Sequence, residues 1–200
     1  RQLSSYLQRQ LPRLFTKSAG DNPSENGVIL WDEENGYPVV SKNGEFVQIV
    51  LEDGQYSGGI TTDQTAASAN TAYALTYTSS IADGITSGTP ASRLVFEEAG
   101  QYMVSFSAQI ASTSSSTVNF WFWPRVNGTD VAGSTMKNAL HQNGATLVVS
   151  RSAIFDFSAG DYLEAMWAVD STNGFLDATA ATAFAPAAPS TTIGITRLHG

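Results

Sequence analysis

The sequence predicts an all-β fold, a sandwich or jelly roll of about eight strands. Three observations predict it. From residue 92 to residue 169, apolar and polar residues alternate with the period of two that is typical of strands with one buried face. Turn residues such as Asn127-Gly128 and Gly160-Asp161 separate these runs at regular spacing. No helical periodicity lies between the runs, which favours packed sheets over an α/β fold.

The pattern of residues 1–20, which precede the strands, predicts a docking arm that contains a short helix over residues 2–16. Apolar side chains recur every four residues and form one apolar stripe, which Pro12 would kink or end. A helix this short is marginal by itself, so it must pack on its own chain or on a second protein. Its basic charge and the Gly/Asn/Pro/Ser-rich linker that follows favour a second protein. The predicted docking residues are Leu3, Tyr6, Leu7, Leu11, Leu14, Arg9 and Arg13.

Residues 21–55 predict a small three-stranded meander. Asn35-Gly36 and Asn43-Gly44 lie between strand-like runs, and Asn-Gly is a strong hairpin signal because both residues tolerate positive φ. Three short strands bury little area. The unit must therefore pack on the large domain, or copies of it must associate. The runs are residues 28–31, 37–41 and 45–51.

The large β domain is predicted over residues 60–199. A linker that contains three glycines is predicted before it, at residues 52–59. In the long run at 101–112, alternate residues such as Tyr102, Val104 and Phe106 are expected to face inward. The predicted strands span residues 71–78, 92–97, 101–112, 118–126, 145–157, 162–169 and 191–198, with a short strand at 84–86.

The strand at residues 118–126 is apolar on both faces. Val118, Phe120 and Phe122 share one face, and Trp121 and Trp123 share the other. A sheet that is apolar on both faces needs a second covering layer. Two further copies around a threefold axis would supply this layer, and loops or the meander are the alternative. The predicted trimer-interface residues are Tyr73, Tyr77, Tyr102, Phe106, Phe120, Phe122, Trp121 and Trp167.

The charge distribution and the composition exclude several classes of protein. The net charge is −8, and residues 1–17 contain four basic and no acidic residues, so the remaining residues carry −12. That balance disfavours nucleic-acid binding, which needs clustered Lys and Arg. With no cysteine, a thiol nucleophile and a cysteine-ligated zinc site are impossible. No apolar run is long enough to span a membrane. The start of the sequence lacks the features of a signal peptide, so we expect a cytoplasmic protein or one released by lysis.

The residues that most often carry chemistry form no convincing constellation. His141 lies in a polar loop, and His199, the only other histidine, is next to the end of the sequence. Glycosidic cleavage needs two placed carboxylates, whereas Glu97-Glu98 and the acidic run at 32–34 are neighbours that point to opposite faces of a strand. Asn127-Gly128-Thr129 matches a glycosylation sequon but is better explained as a hairpin turn. We therefore expect no enzyme activity, no cofactor and no metal.

Four stretches, in the same order along the chain, resemble the trimeric jelly-roll family of the complement globular head and tumour necrosis factor. The similarity covers about residues 60–198 and implies a jelly roll that assembles as a homotrimer. Each stretch alone is a weak match, and their order makes the resemblance more specific. The stretches are Phe96 with Ala99-Gly100-x-Tyr102-x-Val104-x-Phe106, then Trp123-Pro124-Arg125-Val126-Asn127-Gly128, then Phe157-Ser158-Ala159-Gly160-Asp161-Tyr162-Leu163, and finally Ile193-Gly194-Ile195.

Within that fold the sequence most resembles virion proteins of marine tailed phages, in the Thr-Ala-Tyr stretch ending at Tyr73, in Gly160–Trp167 and in the unit from Trp31 to Val40. The resemblance implies a trimeric capsid decoration protein, of the cement or head-fibre kind. It would be assembled in the host cytoplasm and attached to the major capsid protein or another virion protein by its N-terminal segment. It leaves open whether a metal lies on the trimer axis.

Two alternatives to capsid decoration remain. One is a tail-fibre head that recognises a host surface glycan through its loops. The other is a depolymerase, which would depend on a catalytic carboxylate. The loops expected to contact a glycan are residues 80–91, 134–144 and 170–189.

Overall fold

The computed structural model describes residues 16–17, 29–32, 37–48 and 54–199. The chain divides into two compact units, Arg1–Glu52 and Asp53–Gly200. All regular elements in the described ranges are β-strands, and these ranges contain no helix long and apolar enough to cross a membrane. The docking residues predicted between Leu3 and Leu14 lie outside the described residues. Thr16, the last residue of the predicted helix, lies in a strand.

The first unit contains a four-stranded sheet. Its strands follow the chain order, and β1 pairs parallel to β2 while the other pairs are antiparallel. Asn43 and Gly44 have φ of 54° and 83°, so the Asn-Gly turn between β3 and β4 has the conformation that its sequence predicts. The strands are β1 (Thr16–Lys17), β2 (Ile29–Asp32), β3 (Tyr37–Lys42) and β4 (Glu45–Gln48).

The second unit is an antiparallel sandwich of two seven-stranded sheets. We name them the β11 sheet and the β12 sheet after their longest central strands. The β11 sheet is built from β5, β6, β8, β11, β15, β17 and β18, and the β12 sheet from β7, β9, β10, β12, β13, β14 and β16. The strands are β5 (Gln55–Ile60), β6 (Gln64–Thr65), β7 (Tyr73–Ala74), β8 (Thr78–Asp83), β9 (Ile85–Ser87), β10 (Leu94–Phe96), β11 (Gly100–Ser112), β12 (Val118–Val126), β13 (Thr129–Asp130), β14 (Met136–Leu140), β15 (Thr146–Phe157), β16 (Tyr162–Val169), β17 (Gly174–Leu176) and β18 (Thr191–His199).

The order of the main strands is that of a jelly roll. One sheet runs β5-β18-β11-β15 and the other runs β10-β16-β12-β14. Of these eight strands in chain order, the first and the last (β5 and β18) pair with each other, and so do the second and the seventh (β10 and β16). The inner strands pair as β11 with β15 and β12 with β14. This nested pairing gives the two Greek keys of a jelly roll. The predicted all-β sandwich is therefore confirmed.

The alternation in the sequence predicts the core correctly. Tyr102, Ala108 and Ile110 of β11 are buried, as are Phe120 and Phe122 of β12 on the facing sheet. These residues belong to one continuous apolar cluster between the sheets. The expected inward residues of β16 and β18 also join this cluster, although Glu164 and Met166 on the other face of β16 are buried too.

The Gly-x-Tyr motif builds an aromatic corner of this core. The ring of Phe96 stacks on Phe157 at a centroid distance of 3.7 Å, and Tyr102 meets Phe96 edge-on at 4.7 Å. The Tyr102 hydroxyl donates to the Glu98 carbonyl at 2.9 Å. Tyr102 therefore fixes the turn that precedes its own strand.

Two turns that the sequence predicts separately are bonded to each other. Asn127 Nδ2 donates to Asp161 Oδ1 at 2.7 Å, and the amide of Tyr162 donates to Asn127 Oδ1 at 3.0 Å. The Ser158 amide donates to Asp161 Oδ2 at 2.7 Å. These bonds, led by the one from Asn127, lower the pKa of Asp161. The two turns thus form one hydrogen-bonded end of the sandwich.

The predicted linker at residues 52–59 is wrong, because Gln55–Ile60 is a central strand of the β11 sheet. A Cβ added to Gly58 would lie 2.8 Å from Tyr56 Cε1 and 3.0 Å from Tyr77 Cβ. Glycine therefore marks a close approach between packed groups here, and not a flexible segment.

Two other boundaries predicted from the sequence also differ. The run at 71–78 is a strand only at Tyr73–Ala74 and again from Thr78, and the polar loop predicted at 134–144 contains β14. Both short strands exist because a long neighbour pairs with them, β16 in one case and β12 in the other.

Candidate functional site

The histidine and glutamate side chains that could act in catalysis are either exposed in loops and turns or hydrogen-bonded within the fold. Within the described ranges, no three His, Asp or Glu side chains gather into a metal site. His141 Nδ1 lies 3.1 Å from Thr117 Oγ1 in an exposed loop, and Glu97 and Glu98 are exposed in a turn. Glu164 is buried and its Oε1 accepts a 2.7 Å hydrogen bond from the Ser92 hydroxyl. These contacts hold loops and turns.

Most of the residues predicted to form the trimer interface lie in the core of one chain. Phe106 packs beside Phe122 at a ring distance of 5.4 Å, and Tyr73 packs against Trp167 at 5.9 Å. Buried side chains have no area left for contact with another copy. Trp121 differs, because it is half-buried on the outer face of the β12 sheet. The fully packed residues are Tyr77, Tyr102, Phe120, Phe122 and Trp167.

The outer face of the β11 sheet is uncharged over four successive rows of its central strands, and the exposed Asp156 lies in the row beyond them. The register places Ser57, Gly194, Ser105 and Ser152 in one row across the sheet. The next row consists of Gly59, Thr192, Ser107 and Ser150. The hydroxyls of Ser105 and Ser152 are 2.8 Å apart, as are those of Ser107 and Thr192, so these polar groups bond to one another. The result is a flat surface of small side chains.

Larger apolar side chains border these two rows. Met103 and Ile154 are paired on one side, and Val148 lies beside Gln109 on the other. Ile154 and Val148 are 61% and 62% exposed. None of the described residues in these four rows of the central strands is charged. We call this surface the association face; it comprises Ser57, Gly59, Met103, Ser105, Ser107, Gln109, Val148, Ser150, Ser152, Ile154, Thr192 and Gly194.

The outer face of the β12 sheet carries a shallow groove of about 470 Å³. Trp121 and Trp123 form its floor, because alternate residues of β12 share a face. The Lys137 ammonium lies over the Trp121 ring, 5.4 Å from its centroid. We call this surface the tryptophan groove; it is lined by Asn70, Trp121, Trp123, Asp130, Val131, Ala132, Gly133, Thr135 and Ala168.

Asp130 organises one end of the tryptophan groove. Its Oδ1 accepts hydrogen bonds from Trp123 Nε1 at 2.8 Å and from Arg125 Nε at 2.7 Å. The bond from the Arg125 guanidinium, followed by that from the indole, lowers the pKa of the Asp130 carboxyl, which is therefore ionised at neutral pH. No motif in the sequence singles out Asp130. The turn at Asn127-Gly128 is the signal that could have found it, because that turn places residue 130 opposite residue 125.

An apolar cavity of about 240 Å³ lies between the sheets, near the edge formed by β14 and β15. Its walls include Phe106, Phe122, Met136 and Ile193. The Arg151 guanidinium, which also lines the cavity, donates from Nη1 to the Ser134 carbonyl at 2.5 Å. The segment 131–133 lines both this cavity and the tryptophan groove, and so lies between them.

Comparison with solved structures finds proteins of similar fold at low identity. Eiger TNF from S. frugiperda matches at a TM-score of 0.49 and 12% identity, over 74% of this chain and 93% of that one. Murine APRIL matches at a TM-score of 0.48 and 10% identity, over 73% of this chain and 99% of that one. At these values neither similarity bears on what this chain does. No family model matches the sequence, and no curated protein matches it.

Proposed function

We propose that this chain is a non-enzymatic structural protein of a phage virion, a capsid decoration protein that assembles as a trimer through its association face. The N-terminal segment attaches it to the major capsid protein or to another protein of the shell. The observation that carries self-association is the uncharged association face, with its exposed Val148 and Ile154.

A solvent-facing sheet normally alternates apolar residues inside with polar residues outside, many of them charged. The association face departs from this pattern, since its rows contain serine, threonine and glycine between apolar side chains. Charged residues are depleted in the centres of protein interfaces, where their desolvation is costly. The mutual bond in each hydroxyl pair satisfies one of its two O–H donors, which lowers the cost of removing water from the face. The small side chains allow a second sandwich to approach closely. These properties support burial of this face against another copy.

The trimeric state and the virion location rest on the sequence resemblance. Three stretches that carry the resemblance to the family lie in β11, in the turn at Asn127-Gly128 and in the bonded turn at Asp161. The basic residues 1–17 and the separate compact unit Arg1–Glu52 support an attachment role for the N-terminal part.

Oligomeric state tests the self-association. Sedimentation of the full chain should give three times the mass of one 21.2 kDa chain. Gly194→Arg should give a folded monomer, because a Cβ added at Gly194 meets nothing within 4 Å and the guanidinium would stand in the centre of the face. Thr135→Arg, an exposed site in the tryptophan groove, is the matched control and should stay trimeric. A monomeric native chain, or a trimeric Gly194→Arg variant, would contradict the proposal.

The attachment role has its own test in assembled particles. A chain lacking residues 1–20 should form trimers that no longer join the particle, and normal incorporation would contradict the docking hypothesis. Localising the chain in particle density separates decoration of the shell from a position at the tail.

A further inference from the structure

We propose that the tryptophan groove is a carbohydrate-binding site that holds a neutral polysaccharide chain across Trp121 and Trp123. The site lies on the face of the sheet and the segment 130–135. It overlaps one of the loops predicted to contact a glycan, residues 134–144, only at its edge. The proposal rests on the proposed function in one respect: the groove must remain exposed when three copies associate.

The floor of the groove suits a row of sugar rings. Trp121 and Trp123 are two residues apart on one strand, so their Cα atoms are about 6.8 Å apart along the strand and their side chains leave the same face. Both are partly exposed, in a chain whose surface is otherwise rich in small polar residues. The C–H faces of pyranose rings pack on flat aromatic surfaces of this kind. The walls at Ala132, Gly133 and Ala168 are small, and the Lys137 ammonium over the Trp121 ring is on a flexible side chain that a sugar ring would displace.

The polar groups around the floor are available to sugar hydroxyls. Both hydrogen bonds to Asp130 reach Oδ1, and among the residues that the structure describes none donates to Oδ2. The Asp130 side chain is 54% exposed. The side chains of Asn70 and Thr135 likewise have no hydrogen-bond partner in the described part of the chain. The groove thus presents an ionised acceptor, an amide and a hydroxyl around two indoles, which is a combination of donors and acceptors that sugar hydroxyls satisfy.

The same groups disfavour two other occupants. A nucleic acid would stack on the indoles, but the chain beyond residue 17 carries −12 and the groove holds no cluster of cations to pair with phosphates. A proline-rich peptide also prefers aromatic grooves. Proline has no N–H, so such a peptide would leave Asp130 Oδ2 without a donor. The Arg125 guanidinium is already paired with Asp130, so an acidic ligand would have Lys137 beside Trp121 as its counter-charge and not Arg125.

The groove and the association face lie on opposite outer faces of the sandwich. A trimer that buries the outer face of the β11 sheet therefore leaves the β12 sheet exposed, with one groove on each of its three copies. Three weak sites on one particle-bound trimer would bind a repeating polysaccharide with much higher avidity than one site.

Binding of defined saccharides by the full chain tests the proposal. We would titrate cellohexaose, laminarihexaose and mannohexaose, with oligoproline and oligothymidylate as competing classes, and follow tryptophan fluorescence and heat of binding. At least one hexasaccharide should bind. Trp121→Ala and Trp123→Ala should each weaken binding about ten-fold or more, since truncated aromatic anchors carry most of the affinity at such sites. Phe184→Ala is the matched control, because Phe184 is a 92% exposed aromatic outside the groove, and it should bind normally.

Thr135→Arg guards against loss of binding through misfolding, because it fills the groove without removing any packed side chain, and it should also abolish binding. Gly194→Arg should retain the affinity of each chain even where the trimer is lost, which separates this proposal from the proposed function. Absence of binding by all three saccharides at millimolar concentration would overturn the proposal. The proposal would also be wrong if Trp121→Ala, Trp123→Ala and Thr135→Arg all bound the saccharide as tightly as the native chain does. Binding of oligoproline or oligothymidylate in the groove, without binding of any saccharide, would overturn it as well.

Discussion

Gly174 gives the sharpest test of how the core is packed. It is buried at the start of β17, and an added Cβ would lie 2.7 Å from Phe120 Cζ, from Val118 Cγ1 and from Val169 Cγ2. All three neighbours are 0% exposed, so none can move aside into solvent. The φ of Gly174 lies outside the left-handed region that only glycine tolerates well. The effect of Gly174→Ala should therefore come from overpacking and not from backbone strain.

The size of the effect follows from these distances. Ordinary van der Waals contact begins at 3.4 Å, so each of three packed atoms must shift by about 0.7 Å. Overpacking of this kind costs about 1–3 kcal/mol. Replacing glycine by alanine returns about 0.4–1 kcal/mol by restricting the unfolded chain. The net loss is about 1.5 kcal/mol, which lowers the Tm of a domain of this size by about 3–6 °C.

Thermal and urea unfolding, followed by circular dichroism, would measure this loss. Gly59→Ala is the matched control, because its added Cβ would be no closer than 3.6 Å to any atom. Because Gly59 also lies on the association face, both variants are compared in the Gly194→Arg background, where Gly59→Ala should unfold at the same temperature as Gly194→Arg alone or slightly above it. If Gly174→Ala is as stable as Gly194→Arg alone in this background, or if Gly59→Ala loses as much, the packing argument fails.

Two further predictions concern hydrogen bonds to carboxylates. Because the pKa of Asp161 is lowered in the folded state, its contribution is present above about pH 4 and is lost as the pH falls through the folded pKa. Asp161→Asn should therefore cost about 0.5–1 kcal/mol in urea unfolding at neutral pH, and a difference that persists unchanged in acid would rule out the carboxylate as its source. Ser92→Ala removes the hydroxyl that donates to buried Glu164 and should cost about 1–3 kcal/mol. A native urea midpoint would show that Glu164 does not depend on this bond.

The long strands were predictable because alternation specifies them directly. In β11, β12 and β16, every second residue is apolar, and only one register buries that set. The Asn-Gly and Gly-Asp turns were equally clear, because few residues accept positive φ. The bond between Asn127 and Asp161 was not predictable from either turn, since it depends on how the two ends of the sandwich meet.

The strands that were missed owe their conformation to their neighbours. Gln55–Ile60 contains two adjacent glycines and has little strand propensity, yet β18 pairs with it along its whole length. Met136–Leu140 is short and partly polar, and β12 holds it in the sheet. The local sequence indicates which secondary structure a segment prefers by itself. In these two segments, pairing with a long neighbouring strand determines the secondary structure instead.

The candidate sites show a different limit of sequence reasoning. The alternation in β12 correctly indicates that Trp121 and Trp123 lie opposite the core face of the strand. It does not indicate what covers them. Trp121 was predicted to lie at the interface between copies of the chain. The association face was missed because serine, threonine and glycine form no conspicuous pattern. Its character comes from the register of four strands, which places these residues in rows.

The two outer faces of the sandwich are different in ways that suit different partners. The association face is flat and four of its six hydroxyls are bonded in pairs, so covering it with a large protein surface costs less than covering the same number of separate hydroxyls. The tryptophan groove is concave, and no described residue donates to the exposed Asp130 Oδ2, so a second protein that covers it must supply a donor in place of water. A small hydroxylated ligand supplies such donors without having to match a large surface. The same chain can therefore assemble through one sheet and bind through the other, and single substitutions at Gly194 and Thr135 should abolish each property separately.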